Sequence, residues 1–237
     1  MSTVRAPAVA GSFYSADPHQ LAREVDRFLE AAACNDPCPK AVIAPHAGHV
    51  YSGAIAASAY ARIKNGAKQI RKVVLLGPSH RVAFEGIATT SADHYASPLG
   101  KIPIDKNGVA AISKLPAVSI LDQAHDSGEH SIEVHLPFLQ RCLGEFTLLP
   151  LVVGQASPEQ VAAVLDSQWG GPDTLVVISS DLSHHLPYDE ARRKDGATTL
   201  KIEALHSNLV GDQACGCRPI NGLLHLLREK GMQIKTL

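Results

Sequence analysis

Leu21, Val25, Phe28 and Leu29 fall at the three-to-four-residue spacing of one helix face, and Asp17 stands just ahead of Pro18 as a cap. This pattern predicts an amphipathic helix over 18–33. KAVIAP (40–45) is a short apolar run that stops at a proline, and the alanine-rich stretch 52–63 predicts a closely packed helix after it. The alternation then repeats. KVVLLGP (72–78), GIATT (86–90), TLLPLVVG (147–154) and TLVVISS (174–180) read as strands, and 158–165, 188–206 and 220–230 read as helices. Uninterrupted apolar strands separated by helical segments predict a single α/β domain whose central, mostly parallel sheet is flanked by helices on both faces. No internal repeat and no low-complexity linker breaks the pattern.

Three of the predicted strands end in the same chemistry: AVIAP runs into His46, VVLLGPS into His80 and LVVISSDLS into His184. In an open α/β sheet the ligand crevice lies beyond the carboxyl ends of the strands, so histidines distant in sequence are expected to become neighbours there. The stretch EHSIEVHLPFLQRCL (129–143) adds Glu129, His130, Glu133 and His135 within seven residues. Ile132, His135, Leu139 and Cys142 would share one helical face, turning His135 inward. Pro137 either kinks that helix or marks its true start. His130 and His135 are therefore candidates for the site or for packing against the core. ACGCRPI supplies Cys215 and Cys217, with a glycine between them that permits a tight loop, and thiolate is a strong ligand for transition metals.

Composition narrows the function classes. With 45% hydrophobic content, 237 residues can bury a substantial core in one domain over 1–237. Lys and Arg (22) balance Asp and Glu (23) with no basic run, so no nucleic-acid partner is expected, and a small molecule or a peptide fits better. The start has no long apolar leader, and nothing reaches the roughly 18 apolar residues of a membrane span, so a soluble, cytoplasmic chain is expected. Five cysteines agree with reduced thiols: Cys34 and Cys38 lack the second pair of a zinc knuckle, and Cys142 reads as core. No G-x-S-x-G, G-x-G-x-x-G or G-x-x-x-x-G-K-[ST] occurs, which removes the usual marks of hydrolases, dinucleotide enzymes and P-loop nucleotidases. Ser79 beside His80 is no catalytic pair, because adjacent side chains on an extended segment face opposite ways.

VRAPAVAGSFY, PHAGHVYSG, LGPSH, GEHSIEVHLPFLQ, SSDLSHH and CGCRP, in this order, resemble the Memo family over most of the chain. The resemblance implies a fold similar to class III extradiol dioxygenases, non-haem iron enzymes that open catechol rings. It also implies a metal set of two histidines and a cysteine, which fall on His46, His80 and Cys215, with Asp181 and His184 as further pocket residues. Thiolate in place of the carboxylate of iron oxygenases shifts preference from Fe(II) toward copper or zinc, so extradiol chemistry does not follow from the fold. His184, His130 or His135 would act as general acid or base, and Asp181 would orient an imidazole. Two function classes follow: a metal-dependent oxidoreductase, and a binding or scaffold protein, since eukaryotic members are linked to receptor-tyrosine-kinase signalling. The chain departs from the family pattern at His49 and His185, where tyrosines are usual, and at Cys217–Arg218. These histidines are expected to add imidazole to the mouth of the site. A closing C-terminal segment usual in the family is absent, and the sheet edge it would cover is expected to drive self-association.

Overall fold

The computed structural model describes residues 2–237. In chain order the elements are β1 (Val4–Arg5), α1 (Pro18–Ala31), β2 (Ala41–Ala44), α2 (His49–Lys64), β3 (Lys72–Pro78), β4 (Ile87–Thr89), β5 (His94–Ser97) and β6 (Gly100–Pro103). There follow α3 (Lys106–Ile112), β7 (Val118–Ile120), α4 (Asp122–Asp126), a 3₁₀ turn (Glu133–His135), α5 (Leu136–Cys142), β8 (Thr147–Val153), α6 (Pro158–Ser167), β9 (Thr174–Ser179), α7 (Tyr188–Glu203) and α8 (Cys217–Glu229). Among the described residues, no helix is long and apolar enough to cross a membrane.

Six strands form the central sheet in the order β2-β9-β3-β8-β4-β7. The first four run parallel; β4 is antiparallel to β8 and parallel to β7. All six residues of β9, and all but the first of β3 and of β8, are buried, as required of strands covered on both faces. A second, smaller sheet has the order β1-β5-β6, and its β6 packs against β8 of the main one. This is the single α/β domain the apolar pattern predicts.

Helix boundaries follow local chemistry. Asp17 accepts from the Gln20 amide at 2.7 Å and caps α1, whose Leu21, Val25 and Leu29 are buried. Ser157 and Gln160 form a reciprocal capping box on α6. Helix α2 starts at His49, three residues earlier than the alanine pattern shows, and α8 starts at Cys217 because Pro219 is tolerated in a first turn. Helix α7 stops at Glu203, before the left-handed Leu205 (φ 56°). The 129–143 stretch is not one helix: a 3₁₀ turn leads into α5, and Pro137 sits in the first turn of α5, so it marks the start. Ile132, His135, Leu139 and Cys142 are all buried, as the shared face requires.

Candidate metal centre

Strands β2, β9 and β3 are neighbours and parallel, so their carboxyl ends open on one edge of the sheet. Two residues beyond each end stands a site residue: His46 after β2, Asp181 after β9 and His80 after β3. The fourth element is the loop before α8, which delivers Cys215. It docks there because residue 216 is glycine: a Cβ would stand 2.5 Å from the Ser179 carbonyl oxygen and 2.6 Å from Ser180 Cβ. His46, His80 and Cys215 thus each offer a ligand atom within 4.8 Å of the other two.

His46 is 2% exposed, and its tautomer is fixed by its neighbours. The Ser179 hydroxyl donates to the Ser131 carbonyl at 2.6 Å, so at its 2.5 Å contact with His46 Nδ1 it accepts from the ring N–H. Nε2 is left with a bare lone pair, 3.3 Å from Cys215 Sγ. On one tetrahedral ion, bonds of about 2.1 Å to nitrogen and 2.3 Å to sulfur hold those atoms roughly 3.6 Å apart, so the pair is spaced as co-ligands. The Asp181 backbone N–H donates to Sγ at 3.3 Å.

His80 is oriented by a carboxylate. Its Nδ1 lies 2.9 Å from Glu129 Oε1 while its backbone N–H donates to Oε2 at 2.6 Å, and the other ring nitrogen is left toward Cys215. Glu129 Oε1 also accepts the His130 and Ser131 amides, both at 2.9 Å. Burial works to raise the Glu129 pKa, but the His80 and amide bonds outweigh it and bring it down to about 2. Partial burial opposes a proton on His80, yet Cys215 and Glu129 raise its pKa to about 9. The metal-free site therefore holds an imidazolium–carboxylate pair. Burial, then repulsion from His80 and His130, takes His46 down to about 3 and keeps it neutral.

Asp181 Oδ1 accepts the His46 and Ala47 amides at 2.8 and 3.3 Å, while Oδ2 faces His184 Nε2 at 3.7 Å and His46 Nε2 at 3.9 Å. His184 is 43% exposed. The His130 ring stacks on His80 with centroids 4.7 Å apart and 11° between planes. Of the six groups the chemistry singled out, these five lie together with Cys215. His135 lies apart: fully buried beneath His46, it bonds the Tyr60 hydroxyl through Nδ1 at 2.7 Å. A cleft of about 300 Å³ opens on His80 and Cys215 and is lined further by Arg81, Phe84, Gln155 and Arg218. Ser79 donates to the Val82 carbonyl at 2.6 Å and so is not paired with His80 as a nucleophile.

The sequence model of the Memo-like proteins matches residues 5–236. The chain belongs to the Memo family. A MEMO1 family protein of Aquifex aeolicus is 39% identical over 208 residues, covering 86% of this chain and 76% of that one. A MEMO1 family protein of Sulfolobus acidocaldarius is 31% identical (96% and 89% covered), and Protein MEMO1 of Xenopus laevis is 33% identical (96% and 86%).

Within this Memo-family chain, one reading of the variable positions needs correction. His49 does not line the mouth: it is 1% exposed, packs edge-on against Phe138 and places Nε2 3.2 Å from the Val134 carbonyl. As the first residue of α2 it faces the core, not the strand ends. His185 is exposed beside His184, with left-handed backbone (φ 56°). Cys217 is buried, and burial raises its thiol pKa. The site residues that sequence reasoning missed are the ring-orienting partners Ser179, Ser131 and Glu129 in its carboxylate role. The only signal for them was their place inside the SSDLSHH and GEHS motifs.

Proposed function

We propose that this chain binds a transition-metal ion through His46 Nε2, His80 Nε2 and Cys215 Sγ and presents it to a small organic molecule in the cleft, in oxidoreductase-type chemistry. The observation that carries this reading is the pair of ring-orienting contacts: Ser179 on His46 and Glu129 on His80 each hold the far ring nitrogen, leaving the near one for a metal. Such outer partners accompany metal-binding histidines and set their tautomer. The donor set fits Fe(II), copper or zinc, the thiolate favouring the latter two. The mostly parallel sheet with its site at the strand ends is compatible with a dioxygenase-like fold.

When bound, a redox-active ion would supply electron exchange and polarisation of a ligand atom. The protein residues do the rest. Arg81 and Arg218 at the cleft favour a substrate carrying negative charge, and Phe84 with Pro219 offers it an apolar wall. Asp181 positions His46 through its backbone amide, while His184 and His130 are placed to exchange protons with a bound molecule. His135 supports His46 from the core. Five unpaired thiols support placing the chain in the reducing cytoplasm.

The test is anaerobic titration with Fe(II) and Cu(I). Cys215→Ser should weaken binding by more than about 100-fold, beyond the 10–100-fold typical of losing an outer partner, while Cys217→Ser leaves it unchanged. Equal affinity in wild type and Cys215→Ser would remove that ligand. Tight binding with no oxygen uptake across a panel of small aromatic acids would leave a metal-bearing binding protein in place of an oxidoreductase.

A further inference from the structure

One ion at His46, His80 and Cys215 leaves two further side chains with ligand atoms beside it, Asp181 and His184. Asp181 Oδ1 is occupied by the His46 and Ala47 amides, but Oδ2 has no hydrogen bond: its neighbours, His184 Nε2 and His46 Nε2, stand at 3.7 and 3.9 Å. Among the described residues His184 makes no hydrogen bond through either ring nitrogen, although it stands beside the half-buried Cys215 thiol. Asp181, His184 and Cys215 each offer a ligand atom within 4.8 Å of the other two. The two sets of three share Cys215.

We propose that Asp181, His184 and Cys215 hold a second metal ion, and that the Cys215 thiolate bridges it to the first. This rests on the reading of His46, His80 and Cys215 as a metal site. A thiolate keeps three lone pairs and bridges two ions readily. Two metal–sulfur bonds of about 2.3 Å spread near 100° place the ions roughly 3.5 Å apart, the separation of two-metal sites that clamp one ligand between them. Charge agrees: Glu129, Asp181 and Cys215 bring three negative charges against four on two divalent ions, so one anionic ligand from the cleft completes neutrality. The second position is the more exposed, His184 being 43% exposed against 2% for His46. It therefore exchanges faster and binds more weakly. Asp181 does two jobs, one oxygen clamping the loop that carries His46 and the other ligating.

Cobalt(II) is the probe, because it accepts oxygen, nitrogen and sulfur donors and its thiolate bonds absorb in the near ultraviolet. The full chain is titrated anaerobically, bound cobalt is counted by equilibrium dialysis, and electron paramagnetic resonance reads coupling between ions. The expected result is two ions per chain, with a resonance far weaker than the bound cobalt because the bridge couples the spins. His184→Ala, on an exposed loop where folding is not at stake, should stop at one ion, retain the thiolate absorption and recover the uncoupled resonance. Asp181→Asn, which still accepts both amides, should weaken only the second binding event. Wild type that saturates at one ion overturns the second site and leaves the first standing, as does His184→Ala that still takes two. No bound cobalt in wild type overturns both.

Discussion

Replacing Glu129 with glutamine removes one negative charge from a carboxylate that accepts four N–H groups. Lowering that pKa from 4.5 to about 2 corresponds to about 3 kcal/mol of stabilisation of the charged form, after burial has taken its share in the opposite direction. Glutamine keeps one acceptor oxygen but turns an amide NH₂ toward either the His80 backbone N–H or the His80 ring. We expect metal-free Glu129→Gln to lose about 2–3 kcal/mol at pH 5.5, which lowers Tm by about 5–10 °C for a chain of this size. The pH dependence identifies the cause. Glu129, its pKa depressed, stabilises the fold above pH 4.5 and loses that contribution as pH falls toward about 2. His80, its pKa raised, contributes fully below 6.5 and loses its contribution as pH rises through about 9. The gap between variant and wild type is therefore widest from pH 4.5 to 6.5. It narrows toward pH 9.5 without closing, since the His80, His130 and Ser131 amides still need the carboxylate. Thermal unfolding followed by circular dichroism in chelator-treated protein measures this. A gap as wide at pH 9.5 as at 5.5, or a Tm change under about 2 °C, would refute the ion-pair reasoning.

Metal affinity in wild type should rise about tenfold per pH unit between pH 7 and 9, because the ion must displace the proton that His80 holds up to about pH 9; competition titrations with a buffered chelator read the slope, and a flat profile contradicts it. Gly222→Ala, far from the site, puts a Cβ 2.2 Å from Val161 Cγ1 where α8 packs on α6. Since a β-branched valine cannot swing aside, the helices must part at a cost of about 1–3 kcal/mol, seen as a lower Tm with metal stoichiometry unchanged.

The fold was legible where burial is uniform. Strands β3, β8 and β9 are apolar along their length because helices cover both faces, and the sequence marks them as plainly as it marks the amphipathic α1. Strands β1, β5, β6 and β7 escaped because each is short and carries no apolar run; Val4–Arg5, for instance, pairs with His94–Tyr95 across 90 positions. Their existence depends on partners that no local period announces. The site divides in the same way. His46, His80 and His184 could be found because topology alone carries a strand end to the crevice, whereas Asp181, and the choice of Cys215 over Cys217, came through family resemblance. Ser179 could not be found: its hydroxyl matters only because Ser131, 48 positions away, takes its proton.

The N-terminal VRAPAVAGSFY stretch shows how deep that dependence runs. Arg5, 4% exposed, pairs with the fully buried Glu133 and also donates to the Glu129 and His125 carbonyl oxygens. Glu133 in turn accepts the Ala8 and Val9 amides at 2.7 and 3.0 Å and the Tyr14 hydroxyl at 2.5 Å. A buried ion pair of this kind adds little net stability over an apolar replacement, because desolvation offsets most of the attraction. What it does supply is direction. Each oxygen of Glu133 has a fixed donor, so the 129–135 segment is held in one position, and Glu129 at its start grips His80 by both ring and backbone. The chain's first residues thus position the His80 ligand just beyond β3 through two carboxylates without touching it. That explains why charged residues occupy a core that apolar ones would fill as stably.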